Sequence, residues 1–146
     1  MRLAPLATLP LFALALAACE SEAERQADRT EDLIERQADA SAAAAGDTIV
    51  ALGLTERQLL DADLVAADGT DLGDVEQVRR GLDGKIEGLV VEIDDSDPDR
   101  FVIVPLDGLT TRPDGDETDV QTTLTREQLA ALPDAAVDPV APSPTS

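Results

Sequence analysis

The chain reads as a mainly β protein: a small sheet of five or six short strands curled into a partial barrel. A short C-terminal helix follows it, and a helical or disordered tether precedes it. Three observations predict this. Residues 62–124 hold most of the β-branched side chains, and Asp68-Gly69, Asp83-Gly84 and Asp114-Gly115 divide them at hairpin spacing. Alternating or continuous apolar runs of strand length lie between those turns. Phe101 is the only aromatic residue beyond the first twenty positions, so the core must be built from Leu, Val, Ile and Ala. A folded part of about 80 residues (52–134) buries only about 60% of its unfolded surface, which makes that core modest.

The first 18 residues read as a secretory signal: Met1-Arg2, then an apolar stretch to Ala18 interrupted by Pro5 and Pro10, too short and broken for a membrane span. Leu16-Ala17-Ala18-Cys19 resembles the bacterial lipobox, in which the cysteine sulfur takes a diacylglyceryl group and a peptidase cuts just before it. Small residues at 17 and 18 suit a narrow peptidase pocket, and Cys19 is the only cysteine of the chain. The resemblance implies a mature protein beginning at Cys19 and held in a bilayer by its acyl chains, each buried methylene contributing about 0.8 kcal/mol.

Residues 19–51 form the expected tether. Glu24-Arg25-Gln26-Ala27-Asp28 returns eleven positions later as Glu35-Arg36-Gln37-Ala38-Asp39, close to three helical turns. Ala23, Ala27, Leu33 or Ile34, and Ala38 fall near one face. Asp32 and Arg36 make a helix-supporting pair, whereas Glu31 and Glu35 repel. The apolar stripe is thin, so a solvated, fluctuating spacer ending near Gly46-Asp47 is favoured over a helical stalk.

The domain, residues 52–134, follows. Thr55-Glu56-Arg57-Gln58 and Thr125-Arg126-Glu127-Gln128 both fit the capping box, predicting a single helical turn at the first and a short helix at the second, stopped by Pro133. Ala62, Leu64 and Ala66 alternate as a strand. Leu72, Val75 and Val78 recur at three, which is ambiguous by period alone, and Gly73 with the flanking turns favours a kinked or bulged strand. Residues 86–93 place Leu89, Val91 and Ile93 on one face and Ile86 and Val90 on the other, with a bulge at Gly88. The apolar run 101–106 predicts a central strand whose pairing ends at Pro105. Val120, Thr122 and Leu124 predict the last. Residues 135–146 are a Pro-rich tail expected to be disordered.

In order, Asp68-Gly69-x-x-Leu72-Gly73-x-Val75, Leu89-Val90-Val91, Val104-Pro105-Leu106-x-x-Leu109 and Leu124-Thr125-x-x-Gln128-Leu129 resemble the PRC-barrel family, named after the H subunit of the photosynthetic reaction centre. The resemblance covers about half the chain. It implies a small β-barrel serving as a binding or scaffolding module rather than an enzyme. Leu106 departs from the pattern, since many members carry an aromatic residue after the Val-Pro.

The chemistry agrees with a binding role. The chain has no His, and its formal net charge of −20 repels phosphate backbones, so nucleic acid is excluded as a partner. Without His, and with Cys19 committed to lipid, neither a nucleophilic triad nor a zinc site can be assembled. No phosphate-cradling glycine motif is present, and no cofactor is implied. Asp94, Asp95, Asp97 and Asp99 invite a calcium reading, but Arg100 and Leu106 stand where an EF-hand loop needs Gly and Glu. Arg79, Arg80 and Lys85 are the domain's basic cluster and the candidate surface for an acidic partner. The expectation is an exported lipoprotein, anchored to a bacterial membrane with its domain in the periplasm, presenting a non-catalytic protein-binding module to an envelope protein. A cation-responsive acidic protein binding divalent ions weakly is the alternative.

Overall fold

The computed structural model describes residues 21–136. Helix α1 (Glu22–Ala45) comes first. It begins at a capping box: the Ser21 hydroxyl accepts from the Glu24 amide at 3.1 Å, and the Glu24 carboxylate accepts from the Ser21 amide. It ends at Gly46, whose φ of 56° suits a residue without a Cβ. The favoured spacer is thus corrected. Ile34, Ala38 and Ala42, four residues apart, form a buried stripe that seats α1 on the sheet. Leu33 and Ala23, also considered for that stripe, are not buried.

Strands β1 (Ile49–Ala51) and β2 (Leu54–Thr55) make a hairpin turning through Leu52 and Gly53, both at positive φ. Folded structure therefore crosses the expected boundary between tether and domain. Helix α2 (Glu56–Leu60) opens at the Thr55 capping box, and α3 (Arg126–Ala130) at that of Thr125, as their sequences predict. Between them lie β3 (Asp63–Val65), β4 (Asp71–Arg80), β5 (Ile86–Ile93), β6 (Phe101–Pro105), β7 (Thr110–Asp114) and β8 (Glu117–Gln121). These six form one mixed sheet in the order β6-β5-β4-β3-β8-β7, parallel only at β3 and β8.

The sheet is open, with β6 and β7 at its two edges; no closed barrel forms. The β6 edge is partly covered where Val102 bridges Asp134 and the Ala135 amide donates to the Phe101 carbonyl at 2.7 Å. Strand β7 has no counterpart in the sequence reading. All five of its residues are exposed, so no hydrophobic alternation marks it. The last strand stops at Gln121, short of the expected Leu124.

Bulges explain the period of three. Leu64 pairs with Gly73 and Val65 with Asp71, so Leu72 is an extra residue on β4. Val75 pairs with Val91 and Gln77 with Val90, so Glu76 is another. Each insertion resets the pleat, and Leu72, Val75 and Val78 all reach the same core. On β5, Arg79 pairs with Gly88 and Arg80 with Ile86, leaving Glu87 extra. That bulge turns Ile86 to the side of Leu89, Val91 and Ile93, against the alternation expected for it. At Gly73, φ is 155° and a Cβ would overlap the Glu92 carbonyl oxygen, so only glycine fits.

The main core gathers these residues with Leu64, Val102, Val104 and Val120, and is capped by Leu59 of α2 and Leu129 of α3. A smaller cluster on the opposite face joins Ile34 of α1 to Val90 and Phe101. Burying Ile34 there contributes about 1.5–3 kcal/mol. Among the described residues no helix is long and apolar enough to cross a membrane.

Candidate functional site

The seam where α1 lies on β4 and β5 concentrates the charged chemistry. Its two flanks differ in character, because the buried stripe divides the polar residues of the helix.

One flank is basic and amide-lined, with Arg36, Gln37 and Ser41 from α1 facing Gln77, Arg79 and Arg80 from β4. Gln77 donates to the Gln37 side chain at 3.1 Å. Arg80 grips Glu56 of α2 through both terminal guanidinium nitrogens, at 3.3 and 2.8 Å, and donates to the Ser41 hydroxyl at 3.2 Å. Glu56 is fully buried, whereas the Arg80 side chain keeps 31% of its surface in water. Arg80 is therefore an internal fastener among α1, α2 and β4. Arg79 donates to the Ala136 carbonyl at 3.2 Å. Lys85 sits in the β4–β5 turn, paired at 3.4 Å with Asp83. The three cations expected as one partner surface have three different attachments.

The other flank is acidic. Register places Asp63 opposite Asp74, Asp74 opposite Glu92, and Glu92 opposite Phe101, a row of three carboxylates crossing β3, β4 and β5. Like charges directly opposite repel. Partial burial, then Asp99, Glu76, Glu31 and Asp74, push the Glu92 carboxyl up to about 7. Burial, then Asp74, Glu35 and Glu31, raises Glu76. Asp74 is raised by partial shielding from water and by Asp63, Asp94 and Asp71. Glu31 of α1 is raised by burial, Glu35 and Asp99, and Glu35 shares a cleft with Glu76. The sequence reading missed this row. Each member lies in a recognisable strand, but finding the row needs the register, and the register is altered by bulges that the residue pattern alone does not place.

The loop between β5 and β6 divides the four candidate calcium ligands. Asp94 has Asp71, Asp95, Arg126 and Asp63 as its charged neighbours, whereas Asp99 acts on Glu92 and Glu31. Asp95 (φ 59°), Asp97 and Asp99 are exposed, and the Asp97-Pro98 bond is cis. The Ser96 hydroxyl holds the turn, donating to the Ile93 carbonyl at 2.8 Å and accepting from the Arg100 amide at 2.9 Å. Among the described residues, no three acidic or other ligating side chains come together to hold a metal ion. Asp94, Asp95, Asp97 and Asp99 stand as separate turn carboxylates. Arg100, read from the sequence only as the residue that breaks the EF-hand register, fastens the C-terminal segment. It reaches Asp134 at 2.7 Å and the carbonyls of Ala130 and Leu132 at 3.0 and 3.2 Å.

Cys19, the expected lipidation site, the signal at 1–18 and the tail beyond Ala136 lie outside the described residues. The chain matches no protein-family model, and no curated protein matches it.

Proposed function

We propose that this chain is an exported, lipid-anchored bacterial envelope protein that presents a PRC-barrel-like, non-catalytic module to another envelope protein. The observation that carries the reading is the lipobox-like Leu16-Ala17-Ala18-Cys19 after a short apolar leader, with the only cysteine of the chain at its end. Cys19 stands two residues before Ser21, the cap of α1. A thioether at Cys19 would tie the bilayer to a helix seated on the sheet, and so fix how far the module stands from the membrane.

The PRC-barrel likeness is supported by where its motif residues fall. Leu72, Gly73 and Val75 shape the bulged β4, Leu89, Val90 and Val91 fill β5, and Val104 and Pro105 end β6. Thr125 and Gln128 cap α3 while Leu129 closes the core. On this reading the module is an open, curled form of that barrel.

The test is mass spectrometry of the N-terminal peptide from the membrane fraction of expressing cells, alongside a Cys19→Ala variant. The wild type should begin at Cys19 with a diacylglyceryl thioether, and the variant should leave the membrane fraction. An unmodified Cys19 in a protein that still partitions with the membrane would overturn the anchor. Crosslinking in the same cells should capture one recurrent envelope protein, and no such capture would overturn the adaptor role.

A further inference from the structure

Helix α1 is attached to the sheet unevenly. Its C-terminal half is fastened by the buried Ala38 and Ala42, by the Gln37–Gln77 bond at 3.1 Å and by the Ser41–Arg80 bond at 3.2 Å. Its N-terminal half, before Gln37, is seated by one buried side chain, Ile34, against Val90 and Phe101. Around that buried side chain the helix and the sheet bring like charges together. Glu76, the bulge residue of β4, faces Glu31 and Glu35 of α1, Asp74 of its own strand and Glu92 of β5. Glu31 faces Glu35, Asp28 and Asp32 on its own helix, Asp99 from the β5–β6 loop, and Glu76 and Glu92 from the sheet. Of the nearby cations, Arg36 pairs with Asp32 at 3.8 Å and Arg100 pairs with Asp134.

We propose that the N-terminal half of α1 is a proton-operated clasp, loosened when the Glu31 and Glu76 carboxylates are charged and closed onto Val90 and Phe101 when they are protonated. Protonation removes the repulsion across the seam and lowers the desolvation cost of seating Glu31 and Glu76. The C-terminal half serves as the fixed end, since its attachments are amide and hydroxyl contacts together with the Arg80 bridge. The raised proton affinity of Glu31 and Glu76 is the sign expected of groups pressed together by closure. The device uses only the folded residues and is independent of the lipid anchor.

The test is hydrogen exchange of the full chain in detergent at about pH 4, near the ordinary Glu value, and at about pH 8, well above it. After correction for intrinsic rates, the amides of residues 26–35 should exchange about tenfold more slowly at the lower pH, the change that one unit of differential proton affinity produces. Amides of β5 serve as the internal reference. In Glu31→Gln/Glu76→Gln the slow exchange should persist at both pH values. Equal wild-type protection at the two pH values, a change shared equally by β5, or a pH response that survives in the folded variant would overturn the clasp. Should the variant fail to fold, the wild type at the higher pH decides: about 1 M salt shortens the screening length to about 3 Å and should slow exchange over 26–35, and no slowing would overturn the proposal.

Discussion

Arg80 and Glu56 show how far a residue's role can lie from its sequence neighbourhood. Beside Arg79 and near Lys85, Arg80 reads as part of a basic patch. The fold instead turns it to a carboxylate 24 positions earlier, at the start of α2. A buried carboxylate needs its partner more than the pair is needed for stability, since desolvation offsets much of the attraction. Arg80→Met should therefore destabilise by about 2–3 kcal/mol, within reach of the range for breaking a buried pair because Glu56 has no exposed surface to retreat to. Replacing both residues, as Glu56→Leu/Arg80→Met, should recover much of that loss. Urea unfolding of the single and double variants measures the cycle, and an additive double variant would mean that the two residues are not coupled.

At the scale of elements, α1 is the least anchored large piece. Ile34→Ala should cost about 2 kcal/mol, the low end for such truncations because its cluster is small. Proteolysis should then cut within α1 before it cuts the sheet; a sheet cleaved as early as the helix would show that α1 is integral to the main core. Elements whose signal is local were legible in the sequence. Both Thr-x-x-Gln caps, the strand over 86–93 and the Asp83-Gly84 turn need only neighbouring residues. The docking of α1 was not legible, because Ala38 and Ala42 add only methyl groups to the stripe and Ile34 gains its meaning from Val90 and Phe101, more than 50 positions away. Strand β7 was silent for a related reason: an exposed edge strand has no core to write a period into its sequence. Of the site, the separate carboxylates and arginines were visible, and their pairings were not.

For the whole molecule, the acidic face governs the response to pH. Glu92 is raised to about 7, and Glu76 and Asp74 are raised as well. A carboxyl whose folded pKa lies above its unfolded value binds protons more tightly in the native state, so stability rises as pH falls through the folded value and levels off below the unfolded one. The melting temperature should therefore climb between about pH 8 and about pH 5, and Glu92→Gln should flatten the climb. A melting temperature that falls over that interval would mean that the row is not held as described. The net charge of −20 acts in the same direction, because protonation relieves repulsion across the whole surface.

The parallel pairing of β3 with β8 has a further consequence, for the order of assembly. Its ladder is two residue pairs long, Leu64 with Val120 and Val65 with Gln121, and it joins segments 56 positions apart. Strand β7 pairs only with β8, so the hairpin they form is held in the sheet through that short ladder, the Thr122 amide bonded to the Val65 carbonyl and the Gln121 side chain bonded to Ala66 and Ala67. The β4–β5–β6 meander closes through short loops and is complete once Pro105 has emerged. Docking of the β7–β8 hairpin on β3 must close a far longer stretch of chain before its contacts reward it. The hairpin is therefore the last part of the sheet to zip and the first to peel away.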